Sequence, residues 1–178
     1  MKTRSTTIIG LIYKGSAAMA GDGQITLDDT VLKTRSSKIR SMRDGKILSG
    51  FAGTAADALA LFELLEKKID EYSGNLPRAA VELAKEWRTD KILQKLEAVI
   101  TVTDGKNIFL VSGNGDVIEP DDGIIAIGSG GSFALAAARA MIAVNPRLTA
   151  EKIAKKALEI ASEICVYTNN QITVKTIK

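Results

Sequence analysis

The chain has 178 residues, with 24 lysines and arginines against 21 aspartates and glutamates, which gives a formal charge of +3. This length favours one domain with a substantial core, and the basic residues are dispersed among acids, so a nucleic-acid partner is not indicated. The sequence contains no histidine, which excludes Ser-His-Asp and Cys-His nucleophile pairs and histidine metal sites.

The first third of the chain is predicted to form β-strands. Residues 7–13 and 16–20 flank Lys14-Gly15, which predicts a hairpin turn. The apolar run that begins at Ile8 stops at Lys14, so it is too short for a signal peptide or a membrane span. Further extended segments are expected at 25–33, with a break at Asp28-Asp29, at 38–42 and at 47–53, making about five strands before any helix.

Two pairs of helices are predicted by apolar residues spaced three and four apart. The first pair covers residues 54–72, with Thr54 as a candidate N-cap, and residues 77 to about 96. The second pair covers residues 133–144 and 149–164, with Thr149 as a candidate N-cap. Strands are expected between the pairs at 98–103, 107–112, 116–118 and 124–127, and after them at 171–177.

This order of elements favours an α+β fold. Strand blocks with internal hairpin turns, separated by paired helices, fit antiparallel sheets covered by helices better than an alternating parallel arrangement. A four-layer αββα sandwich, with helices outside two stacked sheets, covers both faces of each sheet. The sequence contains no linker, internal repeat or low-complexity tract, so a single domain is expected.

Thr6 is the first candidate catalytic residue. Residues 1–5 alone precede it, and their removal would leave Thr6 with a free α-amine beside its own hydroxyl. Such an amine titrates near neutral pH and can act as the base for the hydroxyl, so no histidine is needed. The alternative is that Thr6-Thr7 begins an ordinary strand, where β-branched residues are common.

Lys38 and Asp22 are candidates for an ion pair beside such a nucleophile. A nearby ammonium would hold down the pKa of the Thr6 amine, and a buried lysine needs a counter-charge. Asp22 lies between Gly21 and Gly23, which permit close backbone approach. The alternatives are a solvated strand-edge lysine and an ordinary turn aspartate.

Two glycine-containing segments are candidates for supporting roles. The backbone N–H of Gly50 could stabilise an oxyanion, although a glycine here could equally serve packing. The segment Gly128-Ser129-Gly130-Gly131 precedes a helix but lacks the Gly-Lys-Ser/Thr ending of a phosphate loop. Ser129 is better interpreted as part of a strand-to-helix turn, or as a residue that helps move a proton near Thr6.

Cys165 is the single cysteine. It cannot form an internal disulfide, and together with the missing signal peptide this favours a cytoplasmic protein. Cys165 follows the last predicted helix, where unpaired carbonyl groups could hold a hard monovalent cation. The alternative is a small buried apolar residue.

Taken together, the sequence resembles the bacterial proteasome-like threonine peptidases over residues 6–178. Seven blocks in the same order carry the resemblance. They are Thr6-Thr7-Ile8, Ala20 to Gln24, Gly50 to Gly53, Ala80 to Asp90, Ser112 to Asp116, Ala126 to Gly131 and Ile164 to Asn169.

The resemblance implies an N-terminal nucleophile hydrolase fold for residues 6–178 and self-catalysed removal of a propeptide, residues 1–5. It implies Thr6 as nucleophile, Lys38 and Asp22 as the ion pair beside it, Gly50 as oxyanion donor and Ser129 as the active-site serine. It also implies a sodium ion held by backbone oxygens of Ser162, Cys165 and Thr168, with Ser162 standing where the family usually has glycine.

The same resemblance implies an ATP-dependent protease. Two stacked six-membered rings of this chain would enclose a chamber, and the hexameric AAA+ ATPase HslU would unfold proteins, feed them in and activate the peptidase allosterically. ATP would be used by that partner and not by this chain. Two other functions remain open from the sequence, a non-catalytic structural ring subunit of the same fold and a stand-alone N-terminal nucleophile amidase.

Overall fold

The computed structural model describes residues 6–96 and 98–177. The predicted propeptide, residues 1–5, lies outside the described residues. The strands are β1 Thr7–Tyr13, β2 Ser16–Gly21, β3 Ile25–Leu27, β4 Thr30–Lys33, β5 Ile39–Met42, β6 Ile47–Ala52, β7 Val99–Thr103, β8 Ile108–Ser112, β9 Val117–Ile118, β10 Ile124–Gly128 and β11 Thr173–Ile177. The α-helices are α1 Ala55–Glu71, α2 Leu76–Thr89, α3 Gly131–Val144 and α4 Ala150–Ile164.

Two antiparallel sheets form the centre of the fold. One has four strands in the order β10-β1-β2-β11, and the other has five in the order β5-β6-β7-β8-β9, while β3 and β4 form a separate two-stranded ribbon. The predicted hairpin between β1 and β2 is confirmed. Lys14 and Gly15 both have positive φ angles, 51° and 78°, as a two-residue turn matching the strand twist requires.

Side-chain alternation along the strands produces the layers. In β1, Ile9 and Leu11 belong to the core shared with α3 and α4, whereas Ile8 belongs to the core between the sheets. The larger sheet packs its outer face against α1 and α2, with Trp87 fully buried. The predicted four-layer αββα sandwich is therefore confirmed.

The predicted caps are confirmed, but one helix boundary is wrong. The Thr54 side chain accepts a hydrogen bond from a first-turn amide of α1, and the Thr149 side chain accepts one from a first-turn amide of α4. Helix α2 was expected to continue to about residue 96 and ends instead at Thr89. The Asp90 carboxylate accepts hydrogen bonds from the amides of Ile92 and Leu93, at 2.7 and 2.9 Å, so the chain leaves the helix and starts a separate 3-10 turn.

The described part of the segment before the first helix, residues 6–54, contains six strands, where about five were expected. Asp28-Asp29 divides the predicted 25–33 segment into β3 and β4, as the sequence indicated, and the turn places Asp28 at a φ of 50°. None of the helices in the described part of the chain has the length and apolar character needed to cross a bilayer.

Candidate active site

Thr6 immediately precedes β1, which is paired on one side with β2 and on the other with β10. Its carbonyl oxygen accepts a hydrogen bond from the backbone N–H of Ser129 at 2.9 Å. Gly128 has a φ of 87°, and a Cβ at this position would overlap the Thr6 carbonyl. The backbone of Thr6 is thus held against the end of β10, at a position where only glycine fits.

Asp22 follows β2, and its carboxylate lies beside the first strand. The Asp22 side chain is fully buried. Its Oδ1 accepts the Thr7 N–H at 2.8 Å, and its Oδ2 accepts the Gln24 N–H at 2.9 Å. Because Thr7 N belongs to the peptide bond that follows Thr6, Asp22 and the Ser129 N–H hold the same peptide group from opposite sides.

Lys38 directly precedes β5 and pairs with Asp22. Its Nζ lies 2.7 Å from Asp22 Oδ1, and its side chain is only 7% exposed. Burial lowers the pKa of Lys38 below its ordinary value, because a low-dielectric surrounding disfavours the ammonium, while the charge and hydrogen bond of Asp22 oppose that shift. Lys38 is therefore not a solvated edge lysine, and Asp22, which also makes the turn contact to the Gln24 N–H, is its buried counter-charge.

A cavity of about 170 Å³ opens beside Thr6 and Lys38. Its apolar wall consists of Ile25, Phe51, Ala58 and Phe62, and its polar wall includes Ser36, Ser37 and Thr54. A cavity of this size and lining suits one apolar side chain of a bound peptide. A nucleophile at its edge would then lie next to the backbone of that peptide.

Gly50 lies in the middle of β6, opposite Ile39 on β5 and Thr101 on β7. A Cβ on Gly50 would lie 2.6 Å from the Ile8 methyl group and 3.1 Å from Met19 Sδ. Packing of the two sheets is thus sufficient reason for glycine here. The role of its N–H as an oxyanion donor stays a prediction.

Ser129 contacts Thr6 through its backbone N–H, which donates to the Thr6 carbonyl, and the Ser129 residue is exposed. The next residue, Gly130, donates its N–H to the Thr7 hydroxyl at 2.9 Å. That hydroxyl also lies 2.7 Å from the Thr168 hydroxyl. The 128–131 segment therefore contacts the first strand of the protein, and its N–H groups are used by Thr6 and Thr7, which argues against a phosphate loop.

The residues proposed for the cation lie around the end of α4. Ser162 is in the last turn of that helix, and its hydroxyl donates to the Glu159 carbonyl at 2.7 Å. The helical backbone at Ser162 accommodates a Cβ, so serine in place of glycine does not distort it. The Cys165 carbonyl accepts the Thr168 N–H at 3.0 Å. Within the described residues, no three Asp, Glu or Cys side chains cluster to hold a metal.

Two polar residues that the sequence did not single out for their side chains also reach the site. They are Thr168, through the Thr7 hydroxyl, and Asn169, whose backbone N–H lies 3.4 Å from Asp22 Oδ2. Both follow the last helix in one of the seven blocks that carry the resemblance. The resemblance in that block pointed to the segment after the last helix, but it did not indicate these contacts.

The chain is similar to a known sequence family and to curated proteins over nearly its whole length. Residues 2–177 match the model of the family described as Proteasome subunit. The ATP-dependent protease subunit HslV of Geobacillus sp. (strain WCH70) is 57% identical over 173 residues, which cover 96% of each chain. The ATP-dependent protease subunit ClpQ of Bacillus pumilus (strain SAFR-032) is 57% identical over 176 residues, covering 98% of this chain and 97% of the relative.

Two solved structures are also similar to this chain over nearly its whole length. Eukaryotic HslV from Trypanosoma brucei superposes with a TM-score of 0.91 and 46% identity, covering 97% of this chain and 99% of that one. Thiobacillus denitrificans BPH superposes with a TM-score of 0.73 and 21% identity, covering 97% of both chains. The second match shows a shared fold alone.

Proposed function

Because this chain belongs to the proteasome family, we propose that it is the threonine endopeptidase subunit of an ATP-dependent protease. The main support is the placement of Thr6 beside a cavity and next to a buried ion pair, Lys38 with Asp22. The names of the relatives support the ATP-dependent protease. A non-catalytic ring subunit would have no need of this buried pair, whose desolvation costs free energy.

The proposed reaction begins with hydrolysis of the peptide bond between Ser5 and Thr6, in which the Thr6 hydroxyl attacks the Ser5 carbonyl, the Thr6 nitrogen leaves as the free amine, and water releases residues 1–5 from the resulting ester. The bared α-amine of Thr6 accepts the proton of its own hydroxyl, and the oxygen attacks the scissile carbonyl of the substrate. The tetrahedral intermediate expels the amine half of the substrate, which takes up a proton, and leaves an ester on Thr6. Water then hydrolyses that ester and regenerates the hydroxyl.

Each neighbouring group has a definite part in these steps. The Lys38 ammonium favours the neutral form of the Thr6 amine, since two adjacent positive charges repel each other. Asp22 keeps Lys38 charged and holds the Thr7 amide. In this proposal the Gly50 N–H donates to the oxyanion, and Ser129 takes part in moving the proton.

The proposed setting is the cytoplasm, with unfolded proteins as substrates. A hexameric AAA+ ATPase of the HslU type would hydrolyse ATP, deliver the substrates and activate the peptidase allosterically. Two stacked hexameric rings of this chain would keep the nucleophiles inside a chamber. The resemblance and the names of the relatives support these proposals, which make proteolysis depend on the partner.

We also propose that the carbonyl groups of Ser162, Cys165 and Thr168 hold a sodium ion. Hard cations prefer oxygen ligands, and the carboxyl end of α4 carries partial negative charge. Because a ligand of the folded state stabilises it, sodium should raise the melting temperature above that in tetramethylammonium chloride at equal ionic strength. Each kcal/mol of stabilisation corresponds to about 2–4 °C for a domain of this size, and equal melting temperatures would contradict the site.

The mass of the purified protein tests the proposed function most directly. Material that hydrolyses a fluorogenic peptide should have lost residues 1–5, because in this mechanism Thr6 attacks a bound substrate only with its free α-amine as the base. The measurement is the intact mass, combined with peptide hydrolysis with and without the ATPase. Active protein that still retains Met1 to Ser5 would contradict the mechanism.

A further inference from the structure

Three segments that are far apart in sequence converge at Gly23. A Cβ on Gly23 would overlap the Thr34 carbonyl and lie 3.0 Å from Arg35 Cα and 3.2 Å from the Gln171 carbonyl. Its own carbonyl accepts the Ser36 N–H at 2.9 Å. The segment after β2, the segment before Lys38 and the segment after α4 are therefore packed backbone to backbone.

The side chain of Asn169 joins the three segments. Its Oδ1 accepts the Gly23 N–H at 3.1 Å and the Gln171 N–H at 3.1 Å. Its Nδ2 donates to the Thr34 carbonyl at 2.9 Å. The side-chain amide of Asn169 thus accepts two hydrogen bonds through its oxygen and donates one through its nitrogen. Neither a carboxylate nor a hydroxymethyl group can provide this combination in the same geometry.

The segments that Asn169 joins carry the candidate catalytic groups. Gly23 follows Asp22, whose Oδ2 also faces the Asn169 backbone N–H at 3.4 Å. Thr34 begins the segment that leads to Lys38 and includes Ser36 and Ser37, two residues of the cavity wall. A shift of Thr34 would therefore move the ammonium and the substrate cavity together.

We propose that Asn169 is a positioning residue for the peptidase reaction. It sets the separation between the Asp22 segment and the Thr34 to Lys38 segment, and through them the placement of Lys38 beside Thr6. Among the side-chain hydrogen bonds of Asn169, the one to the Thr34 carbonyl is decisive, because it is the bond that reaches the segment leading to Lys38. This inference rests on the proposed threonine peptidase function.

Asn169→Asp isolates that contact. The aspartate has nearly the same shape and can still accept from Gly23 and Gln171, but it replaces the donor to Thr34 with an oxygen that repels the carbonyl. Small displacements of this kind typically cost up to about 100-fold in rate. We expect kcat for peptide hydrolysis to fall about 10- to 100-fold, with a smaller change in KM, and trimming of residues 1–5 to slow in parallel.

Asn170→Asp is the matched control. It adds the same charge one residue away, at an exposed position whose side chain contacts Gln171 Nε2 at 3.3 Å. Its kcat should stay within about twofold of the parent protein, as is usual for a surface change. Equal losses in both variants would show a general effect of charge and overturn the proposal.

Asn169→Ala separates positioning from local turn formation. If the decisive contact is the donor to Thr34, the alanine variant should be impaired but no worse than the aspartate variant. If Asn169 only caps its own turn through Oδ1, the aspartate variant should be nearly as active as the parent while the alanine variant is not. That order would overturn the proposal.

Melting temperature and oligomeric mass identify variants that fail to fold or assemble, and kcat is compared among variants that match the parent in both. If Asn169→Asp does not assemble, the test is the kcat of Asn169→Ala compared with that of Asn170→Asp. A lower kcat in Asn169→Ala supports the proposal, and a kcat equal to that of the parent protein overturns it. A parent protein that hydrolyses no peptide with its ATPase would contradict the proposed function instead. The two failures are thus distinguishable.

Discussion

Thr6→Ala is expected to abolish both the removal of residues 1–5 and the hydrolysis of peptides. In the proposed mechanism, the substitution deletes the hydroxyl that attacks the carbonyl in both reactions. Loss of a catalytic nucleophile typically lowers kcat by on the order of 10⁴-fold or more. Intact mass and initial rates on a fluorogenic peptide measure the two effects.

Thr6→Ser and Thr30→Ala are the controls for this experiment. Serine keeps a hydroxyl on the same residue and should retain trimming and measurable hydrolysis. Thr30 lies exposed on β4, so its replacement should leave both reactions within about twofold of the parent. Undiminished hydrolysis by Thr6→Ala would refute Thr6 as nucleophile and with it the threonine mechanism.

Lys38→Met should cause the second-largest loss. Methionine fills a similar volume without the charge, so the Thr6 amine would bind its proton more tightly and the base would be blocked at neutral pH. The buried Asp22 carboxylate would also lose its counter-charge, and breaking such a pair typically costs about 3–5 kcal/mol of stability. We expect kcat to fall by about 100-fold or more, within the range for losing an acid–base group.

Lys33→Met is the matched control, because Lys33 is an exposed lysine on β4 and should tolerate the change. Melting temperatures separate the loss of stability from the loss of rate. If Lys38→Met assembled normally and hydrolysed peptides at the parent rate at neutral pH, Lys38 would have no part in the mechanism.

The pH profile follows from the same pair. Activity should rise as the Thr6 amine loses its proton, and should fall again at high pH as Lys38 does, because a neutral Lys38 no longer stabilises the negative charge that develops on the attacking Thr6 oxygen. Because burial lowers the pKa of Lys38, the fall should begin at lower pH than for an exposed lysine. Asp22 opposes that lowering, so Asp22→Asn should move the fall to still lower pH. An alkaline limb that does not move would contradict this assignment.

Much of the fold follows from local patterns in the sequence. The bounds of β1 were predicted correctly because its apolar residues end at a Lys-Gly turn, and Thr54 and Thr149 caps mark two helix starts. The end of α2 was missed because the helical spacing of apolar residues continues past Asp90. There a carboxylate captures two amides and starts a different turn.

The site was predictable in part. Thr6, Asp22 and Lys38 were identified from the resemblance and from the requirement that a buried charge be paired, and the structure places Asp22 and Lys38 2.7 Å apart. The contacts of Asn169 were not predictable. Asn169 meets Asp22 across a separation of 147 residues, and no periodicity or local turn signal encodes such a contact.

The backbone at Thr6 is held from both sides, by the Ser129 amide on its carbonyl and by Asp22 on the amide that follows. Neither hydrogen bond involves the atoms that change when the bond before Thr6 is cut. Under the proposed function, the precursor would therefore be a zymogen whose machinery is already assembled and which lacks only a free amine. Maturation would then amount to a single covalent switch, after which the nucleophile stays where folding put it.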